Sequence, residues 1–334
     1  MHLWLFQYFL YLLVPYFFDA ETNVIILSRN KFFQKFCIFI KKNMNNKPIV
    51  AGIGELLWDV LPTGKQVGGA PCNFAFHAMQ AGCESIVFSA VGSDQPGDEL
   101  LSALAGLNIN CEFIQCNRFP TGTVTVTLNE KGHPQYVIHE NTAWDNILFN
   151  TKTETKIKEL DAVCFGSLGQ RSPISAATIQ RVLTEVKPGC LKVFDINLRQ
   201  HFYSPEIILK SLEFATILKL NDEELPLLSD LFALTGEVKN QLTQLLDRFN
   251  LRTIVYTMGE KGSIIMTGTE YSFLESPKVV VADTVGAGDS FTAVLISGLL
   301  KGVPLNEVHE TATRTAAYIC TQKGATPAIP FQIY

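Results

Sequence analysis

A glycine-rich segment near the C-terminus combines an anion-binding turn with a carboxylate. Residues 283–291 have the sequence Asp-Thr-Val-Gly-Ala-Gly-Asp-Ser-Phe and precede an apolar helical pattern. Gly286 and Gly288 permit a tight turn, and the unpaired backbone N–H groups at a helix start attract anions. Asp289 lies at the same helix start, where it could cap the helix or act as a general base. An anion site and a carboxylate within one turn favour phosphoryl transfer, in which charge is neutralised where a hydroxyl is deprotonated.

A second glycine-rich segment could bind hydroxyl groups. Residues 67–75 have the sequence Val-Gly-Gly-Ala-Pro-Cys-Asn-Phe-Ala. Glycine lets a ligand approach the backbone, and the Asn73 side chain can both donate and accept hydrogen bonds. Because Gly-Gly before proline is also common in ordinary turns, this segment alone is weak support for a binding site. Asp59 follows the first predicted strand and would lie at the carboxyl ends of the strands, where open α/β sheets bind ligands.

Composition and missing motifs exclude several other functions. Of 334 residues, 47% are hydrophobic and 18% charged, which excludes disorder for most of the chain. The net charge of −5 provides no basic surface for nucleic acid. There is no GxxxxGKS/T segment, and Leu57 stands where a dinucleotide-binding fingerprint begun by Gly52 and Gly54 requires a third glycine. The eight scattered cysteines show no metal-ligand spacing and indicate a reducing, cytoplasmic location.

Beyond residue 44, apolar strands alternate with helical segments, which predicts an α/β fold with a parallel sheet. The predicted strands are 48–53, 86–91, 161–166, 191–195, 215–220, 253–257 and 279–282. The predicted helices include 71–81, 97–106, 174–186, 237–249 and 289–301. Residues 56–69 and 112–142 are instead rich in β-type sequence, with a hairpin turn at Asn129–Pro134. They are predicted to form a small second sheet over one edge of the main domain.

Residues 1–43 differ in composition from the rest of the chain. Residues 1–18 are almost wholly apolar, but the first basic residue is Arg29 and acidic residues follow the run, unlike a signal peptide. A transmembrane helix needs about 20 apolar residues, and Pro15 lies near the end of a barely adequate stretch. We favour translation from Met44, with residues 44–334 as the functional domain and no membrane association. The alternatives are a membrane anchor, a signal segment or a structural extension.

The ordered motifs of residues 48–330 resemble those of the ribokinase-like (PfkB) family of carbohydrate kinases. Besides the two glycine-rich segments, the motifs are GELLWD (54–59), GSDQPGDEL (92–100), DINLR (195–199), NDEE (221–224), TMGEKGS (257–263) and KGATPAIP (323–330). The resemblance implies a three-layer α/β/α domain with a mostly parallel central sheet. It also implies that the small β-sheet is a lid, which would exclude water from the transfer site.

The same resemblance implies roles for individual residues in transferring phosphate from ATP to a sugar. Asp289 would be the base, and the amides of Gly286, Ala287 and Gly288 would form the anion hole. The residues that would bind the sugar are Asp59, Gly69 and Asn73. Those that would bind ATP are Asn221, Thr257, Gly259 and Gly262, and Mg²⁺ would be held through water by Asn221 and Glu224. For NDEE, the alternative is an ordinary solvated helix start.

Many members of this family also bind a monovalent cation beside the anion hole. The corresponding positions in this chain are Asp283, Val285, Gln322 and Gly324. Ribokinases have a serine near Ala328, so one ligand is missing here and dependence on K⁺ stays open.

Finer features of the motifs predict the acceptor sugar. GELLWD, GGAPCN and TGTVTV (121–126) are more similar to fructokinases than to ribokinases, which favours fructose. Asp195, Asn197 and Arg199 are similar to residues of both fructokinases and 2-keto-3-deoxygluconate kinases. In the latter an arginine can meet a substrate carboxylate, a role that would suit Arg199; local pairing with acids is the alternative. Arg171 is a further candidate for a substrate contact. Ribose as the acceptor, a catalytically silent sugar- or nucleotide-binding regulator, and a homodimer through the exposed lid edge remain open.

Overall fold

The computed structural model describes residues 47–128 and 134–333, and this part of the chain contains thirteen strands. They are β1 (Ile49–Ile53), β2 (Leu57–Leu61), β3 (Gly64–Gly68), β4 (Glu84–Gly92), β5 (Ile114–Asn117), β6 (Gly122–Leu128), β7 (Pro134–Ile138), β8 (Ala162–Phe165), β9 (Leu191–Asp195), β10 (Ile217–Asn221), β11 (Thr253–Thr257), β12 (Ser263–Thr267) and β13 (Tyr271–Leu274). The N-terminal segment 1–43 and residues 129–133 of the predicted hairpin turn lie outside the described residues.

Nine of these strands form a large sheet in the order β13-β12-β11-β10-β9-β8-β1-β4-β5. All neighbouring pairs from β5 to β11 are parallel, whereas β12 and β13 run antiparallel to their neighbours. The carboxyl ends of the parallel strands therefore meet at one edge of the sheet, which is where such sheets bind ligands. Eight of the nineteen predicted site residues end or follow parallel strands at this edge: Arg171, Asn197, Arg199, Asn221, Glu224, Thr257, Gly259 and Gly262.

Helices cover both faces of the large sheet. In the described ranges the α-helices are α1 (Ala70–Gln80), α2 (Gln95–Gly106), α3 (Thr151–Lys156), α4 (Pro173–Glu185), α5 (Pro205–Phe214), α6 (Glu224–Phe232), α7 (Val238–Arg248), α8 (Ala287–Leu300) and α9 (Leu305–Cys320). Successive strand residues face opposite sides. In β8, Val163 and Phe165 pack with residues of α4 to α7, whereas Ala162 and Cys164 pack with residues of α1, α8 and α9. The predicted three-layer α/β/α fold is confirmed.

A separate four-stranded sheet, the lid sheet, has the order β3-β2-β6-β7. Its strands pair antiparallel except for β2 with β6, so the sheet is mixed. Its apolar residues form a buried cluster with residues that follow β7, β8 and β9; the cluster contains Leu57, Val124, Ile138, Trp144, Leu168 and Phe202. The predicted lid range 112–142 also includes β5, which belongs to the large sheet. Helix α2 carries the chain back to the start of a strand parallel to β4, so β5 pairs there.

The predicted strand 279–282 is wrong. These residues form no strand, and Val280 is 90% exposed. A run of β-branched residues favours extended backbone but does not supply a partner strand. The edge of the sheet beyond β11 is taken instead by β12 and β13, which have no counterpart among the predicted strands. Among the helices of the described ranges, none is long and apolar enough to cross a bilayer.

Candidate active site

The two glycine-rich segments meet at the starts of two helices. Asn73 lies in the first turn of α1, and Asp289 lies in the first turn of α8, 216 residues later in the chain. Asn73 Nδ2 donates a hydrogen bond of 2.7 Å to Asp289 Oδ2. The buried Asn73 Oδ1 has no partner among the described residues. The residue predicted to bind sugar and the residue predicted to act as base are therefore in direct contact.

The surroundings of Asp289 make its carboxylate more basic than that of an ordinary aspartate. Burial, assisted by the negative charge of Asp195, raises the pKa of Asp289 to about 6. The hydrogen bond from Asn73 and the positive charge of Lys219 oppose this rise. General bases are most effective when their pKa lies near the operating pH. The carboxylate therefore combines ionisation at neutral pH with raised basicity.

The turn before α8 leaves backbone N–H groups without internal acceptors. Gly286 is the residue that precedes the helix, with φ of 80°, and a Cβ atom there would lie 2.5 Å from Ala325 O. Within the part of the chain described, neither the Gly286 nor the Gly288 N–H group donates a hydrogen bond. The Ala287 N–H group donates to Thr284 O at 3.3 Å. Of the three predicted anion-hole amides, two are thus available and the third is weakly engaged.

A buried lysine, Lys219, lies beside this turn and is not among the predicted site residues. Its Nζ atom forms a 2.9 Å ion pair with Asp195 Oδ1 and would be 3.1 Å from a Cβ atom at Gly288. Burial alone would lower the pKa of Lys219, but the carboxylates of Asp195 and Glu224 raise it to about 12. The ammonium group is therefore charged at neutral pH. A lysine inside the apolar strand β10 is the sequence signal that could have identified it.

Residues at the end of β9 line a small cavity next to Asp289. Asp195 and Asn197 line it together with Thr292 of α8. Thr292 Oγ1 donates to Gly288 O at 3.0 Å and lies 3.5 Å from Asp195 Oδ2. The predicted substrate residue Asn197 is therefore brought beside the predicted base.

The predicted sugar-binding residues gather at the start of α1. Asp59 belongs to β2 of the lid sheet, and Gly69 directly precedes α1, which carries Asn73. A Cβ atom at Gly68 would overlap Asp59 Oδ2, so the Asp59 carboxylate packs directly against this glycine. Burial raises the pKa of Asp59 to about 6, although the positive charge of Arg199 opposes the rise.

Glu55 is a buried carboxyl group at the same place, and it is not among the predicted site residues. Its Oε1 atom accepts a 3.3 Å hydrogen bond from the Ala70 N–H group, whereas its Oε2 atom has no partner among residues 47–128 and 134–333. Burial raises the pKa of Glu55 to about 7, and the negative charge of Asp289 adds to the rise. Glu55 and Asp289 are therefore close enough for their charges to interact.

The raised pKa of Glu55 makes stability depend on pH. The pKa of Glu55 is about 7 in the folded protein against an ordinary value of 4.5, so the folded protein binds the proton more tightly than the unfolded chain. The free energy of unfolding therefore falls as pH rises between these two values. Glu55→Gln is neutral at every pH. We expect the unfolding free energy of this variant minus that of wild type to increase by about 2 kcal/mol from pH 5 to pH 8. Urea unfolding at both pH values measures this gain, with the exposed Glu310→Gln as the control substitution. An equal difference at both pH values would contradict a protonated Glu55.

Asn221 and Glu224 are fixed by backbone hydrogen bonds at the end of β10. The two Glu224 carboxylate oxygens accept from the Asn221 N–H group at 2.8 Å and from the Leu198 N–H group at 3.0 Å. Asn221 Oδ1 accepts from the N–H groups of Glu223 and Glu224 at 2.9 Å each. Burial raises the pKa of Glu224, opposed by the positive charge of Lys219. Glu224 is therefore buried and fixed, whereas Asn221 is partly exposed; their carboxylate and amide oxygens are ligand types that Mg²⁺ accepts.

The other predicted ATP-binding residues lie next to Asn221. Thr257 ends β11 and is the direct partner of Asn221 in the parallel pairing of β10 with β11. Gly259 begins a short 3₁₀ turn, and Gly262 ends it with φ of 111°. A side chain at Gly262 would overlap Leu274 O, so glycine is required there. These residues therefore share one edge of the sheet.

The positions predicted for a monovalent cation are grouped around Asp283. Its two carboxylate oxygens accept 3.1 Å hydrogen bonds from the N–H groups of Val285 and Gly324. Within the described ranges, the carbonyl oxygens of Val285, Gln322 and Gly324 accept no hydrogen bond. The Ala328 carbonyl, by contrast, accepts a 3.2 Å bond from the Tyr318 hydroxyl. A set of backbone oxygens beside one carboxylate fits a hard cation.

The predicted substrate-contacting residue Arg171 is buried and paired. Its guanidinium forms two 2.8 Å bonds to the Asp145 carboxylate and lies over the rings of Trp144 and Phe202. It also donates 2.6 Å to the carbonyl of His139, just after β7 of the lid sheet. Arg171 therefore joins the lid sheet to residues of the main domain. Its buried Nη1 atom has no partner among the residues that the structure describes.

The other predicted arginine, Arg199, is exposed. Its Nη1 atom donates to the adjacent Leu198 carbonyl at 3.1 Å. Its positive charge opposes the rise in the pKa of both Asp59 and Glu55. Arg199 therefore lies near the carboxylates at the start of α1.

Known proteins resemble the chain over nearly its whole described length. The family described as pfkB family carbohydrate kinase matches residues 50–332. A solved structure of an uncharacterized sugar kinase from Pyrococcus horikoshii, in complex with ATP, is similar over 83% of this chain and 94% of its own. It has 26% sequence identity and a TM-score of 0.70.

Fructokinases are also similar to the chain. The "Probable fructokinase-2" of Arabidopsis thaliana is 27% identical over 86% of this chain and 94% of its own length. The structure of a fructokinase from Vibrio cholerae O395, with fructose, ADP and calcium bound, covers 85% of this chain and 96% of its own. Its TM-score is 0.71 and its identity 22%, so it bears on the fold alone. Because the family match spans most of the sequence and the solved structures share the fold, the chain belongs to the pfkB family of carbohydrate kinases.

Proposed function

We propose that the protein transfers the γ-phosphoryl group of ATP to a hydroxyl of a sugar, with fructose as the acceptor. The observation that carries this proposal is the 2.7 Å contact between Asn73 and Asp289, beside the unpaired N–H groups of Gly286 and Gly288. The ATP in the Pyrococcus horikoshii structure supports the donor, and the fructokinase relatives support the acceptor.

In the proposed reaction, Asp289 removes the proton of the acceptor hydroxyl while that oxygen attacks the γ-phosphorus of ATP. The bond from the γ-phosphorus to the bridging oxygen breaks, and ADP leaves. Asn73 orients the Asp289 carboxylate through its hydrogen bond. The N–H groups of Gly286 and Gly288 stabilise the negative charge on the transferred group, as in phosphoryl transfer generally.

The remaining polar groups of the site would act on the donor side. Lys219 places a permanent positive charge beside the anion-binding turn. Thr257, Gly259 and Gly262 would line the path of the nucleotide at the end of β11. Mg²⁺, held through water by Glu224 and Asn221, would neutralise charge on the ATP phosphates.

The charges at the sugar end favour an uncharged acceptor. Asn73 Oδ1 is a buried acceptor that lacks a donor in the described structure, and sugar hydroxyls are donors. Glu55 Oε2, which also lacks a partner there, can accept from a hydroxyl when ionised and donate to one when protonated. Asp59 adds a further carboxylate there. Arg171, which could meet a phosphate or carboxylate, is already paired with Asp145. A neutral polyhydroxy sugar such as fructose therefore fits better than a sugar phosphate.

A second candidate acceptor is 2-keto-3-deoxygluconate, because the exposed Arg199 lies near these carboxylates and could meet a substrate carboxylate. A coupled ADP-release assay of the purified protein distinguishes the two sugars. We expect kcat/KM for fructose to exceed that for 2-keto-3-deoxygluconate, ribose and fructose 6-phosphate by about tenfold or more, a difference that polar contacts readily supply.

The variant Arg199→Gln sharpens this comparison. We expect it to leave kcat/KM for fructose within about threefold of wild type, whereas loss of a charge-assisted contact would reduce use of the acidic sugar by about tenfold or more. Preference for the acidic sugar, abolished by Arg199→Gln, would support the second candidate. Absence of ADP release with every sugar would favour a silent binding protein.

Three further properties belong to the same proposal. We propose that the backbone oxygens around Asp283 hold a monovalent cation such as K⁺.

The seven free cysteines of the described residues agree with a cytoplasmic location. The half-exposed Val137 on the edge strand β7 agrees with a homodimer that pairs two lid sheets.

A further inference from the structure

One face of helix α1 holds the loop that follows α9. Asn73, His77 and Gln80 share this face, because residues spaced by three or four are neighbours on a helix. His77 Nε2 lies 2.8 Å from the carbonyl oxygen of Ala325. The helix that orients Asp289 through Asn73 therefore also contacts the C-terminal loop through His77.

Gln80 extends this contact along the loop. Its Nε2 atom donates to Pro327 O at 3.2 Å, and its Oε1 atom accepts from the Ile329 N–H group at 2.8 Å. The loop is therefore fastened to α1 at three points, of which the one made by His77 is nearest to the anion-binding turn.

The protonation of His77 follows from its partners. Because a carbonyl oxygen can only accept, Nε2 carries the proton, and Nδ1 is left as the acceptor facing Gln80 Nε2 at 3.4 Å. Burial lowers the pKa of His77 to about 4. The imidazole is therefore neutral, and it donates to Ala325 throughout the neutral pH range.

Ala325 is in turn packed against the anion-binding turn. A Cβ atom at Gly286 would lie 2.5 Å from Ala325 O and 2.8 Å from Ala325 Cα. The oxygen that His77 binds is thus the same atom that limits the position of the Gly286 backbone. A second connection joins the same loop to the residues before the turn, since the Gly324 N–H group donates to Asp283.

We propose that His77 is a positioning residue for phosphoryl transfer: by holding the Ala325 carbonyl against Gly286, it fixes the anion-binding N–H groups relative to Asp289. This inference rests on the proposed kinase activity. Helix α1 then sets both halves of the reaction geometry, the base through Asn73 and the anion-binding turn through His77 and Ala325. A displacement of about 1 Å at such a site can reduce turnover by about 100-fold.

The test compares His77→Leu, which removes the donor, with His77→Gln, whose Nε2 atom is the same number of bonds from the backbone. We expect His77→Leu to lower kcat by about tenfold or more while the KM for fructose stays within about threefold, and His77→Gln to restore kcat to within about threefold of wild type. Hydrogen exchange followed by mass spectrometry should show faster exchange in residues 284–290 and 324–329 for His77→Leu only. If His77→Leu does not fold, His77→Asn, whose amide is one bond too short to reach Ala325, takes its place.

Thr178→Val is the matched control. Thr178 Oγ1 also donates from a buried helical position to a carbonyl oxygen, that of Ile147, at 2.7 Å, but α4 lies on the opposite face of the large sheet. We expect this variant to be less stable with kcat unchanged.

Wild-type kcat in His77→Leu, or an equal loss of kcat in Thr178→Val, would overturn the positioning role of His77 and leave the proposed function standing. A wild-type protein without sugar-dependent ADP release would overturn the proposed function and this role together.

Discussion

Replacing Asp289 by alanine should abolish nearly all turnover while leaving the fold and the affinity for ATP largely intact. A positioned general base contributes about 100- to 10,000-fold to the rate, and Asp289 is the carboxylate that Asn73 holds beside the anion-binding turn. Its pKa of about 6 gives it both ionisation and basicity near neutral pH. Measurement of kcat by ADP release, with ATP affinity measured by calorimetry, separates loss of chemistry from loss of binding.

The isosteric Asp289→Asn variant removes the negative charge but keeps an oxygen that can accept the hydrogen bond from Asn73. We expect its kcat to be as low as that of Asp289→Ala, because neither side chain can take the proton. Asp230→Asn, an exposed residue of α6, is the control for the substitution and should retain wild-type kcat. If either Asp289 variant kept a tenth of wild-type turnover, Asp289 could not be the base.

The buried strands of the large sheet could be predicted because they carry a local signal. Strands such as β1 and β8 are covered on both faces, so nearly every position is apolar and the run stands out in the sequence. The same criterion fails at the edge of the sheet. The valine run 279–281 is more apolar than the half-exposed strand β13, yet β13 pairs with β12 and the valines pair with no strand. Which segment pairs at the edge of the sheet depends on the short connection between β12 and β13. The apolar content of a segment carries no information about that connection.

For the site as well, some residues can be predicted from a local motif, whereas the role of others depends on contacts that only the fold brings together. Asp289 and Asn73 could be proposed because each lies in a short glycine-rich motif at a helix start. Glu55 could not, because a charged residue is expected to be exposed and only the folded structure shows that it is buried. Lys219 has a sequence signal, its position inside the apolar strand β10, but only the fold shows which charges surround it. The motif around Arg171 predicts a substrate contact. The partner of this arginine, Asp145, lies 26 residues earlier, so the pairing is invisible without the fold.

Lys219 offers a separate test of the anion-binding turn. Its ammonium group is buried, forms a 2.9 Å ion pair with Asp195 and lies next to Gly288. In such a place a fixed positive charge stabilises the charge that develops on the transferred phosphoryl group without reorganising at the moment of reaction. Removing one comparable donor from an oxyanion site costs about 100- to 1,000-fold in kcat. We therefore expect Lys219→Met to lower kcat by about 100-fold or more.

Lys219→Met should also destabilise the fold by about 3 kcal/mol, because it leaves the Asp195 carboxylate buried without its partner. The double variant Lys219→Met/Asp195→Asn removes both charges, so it should recover much of the stability but none of the lost kcat. Asp195→Asn alone keeps the ammonium group and should lose less kcat than Lys219→Met. Thermal unfolding and ADP release on the three variants separate the two roles of Lys219. If kcat recovered together with stability in the double variant, Lys219 would serve only to neutralise Asp195, and the charge beside Gly288 would play no part in the transfer.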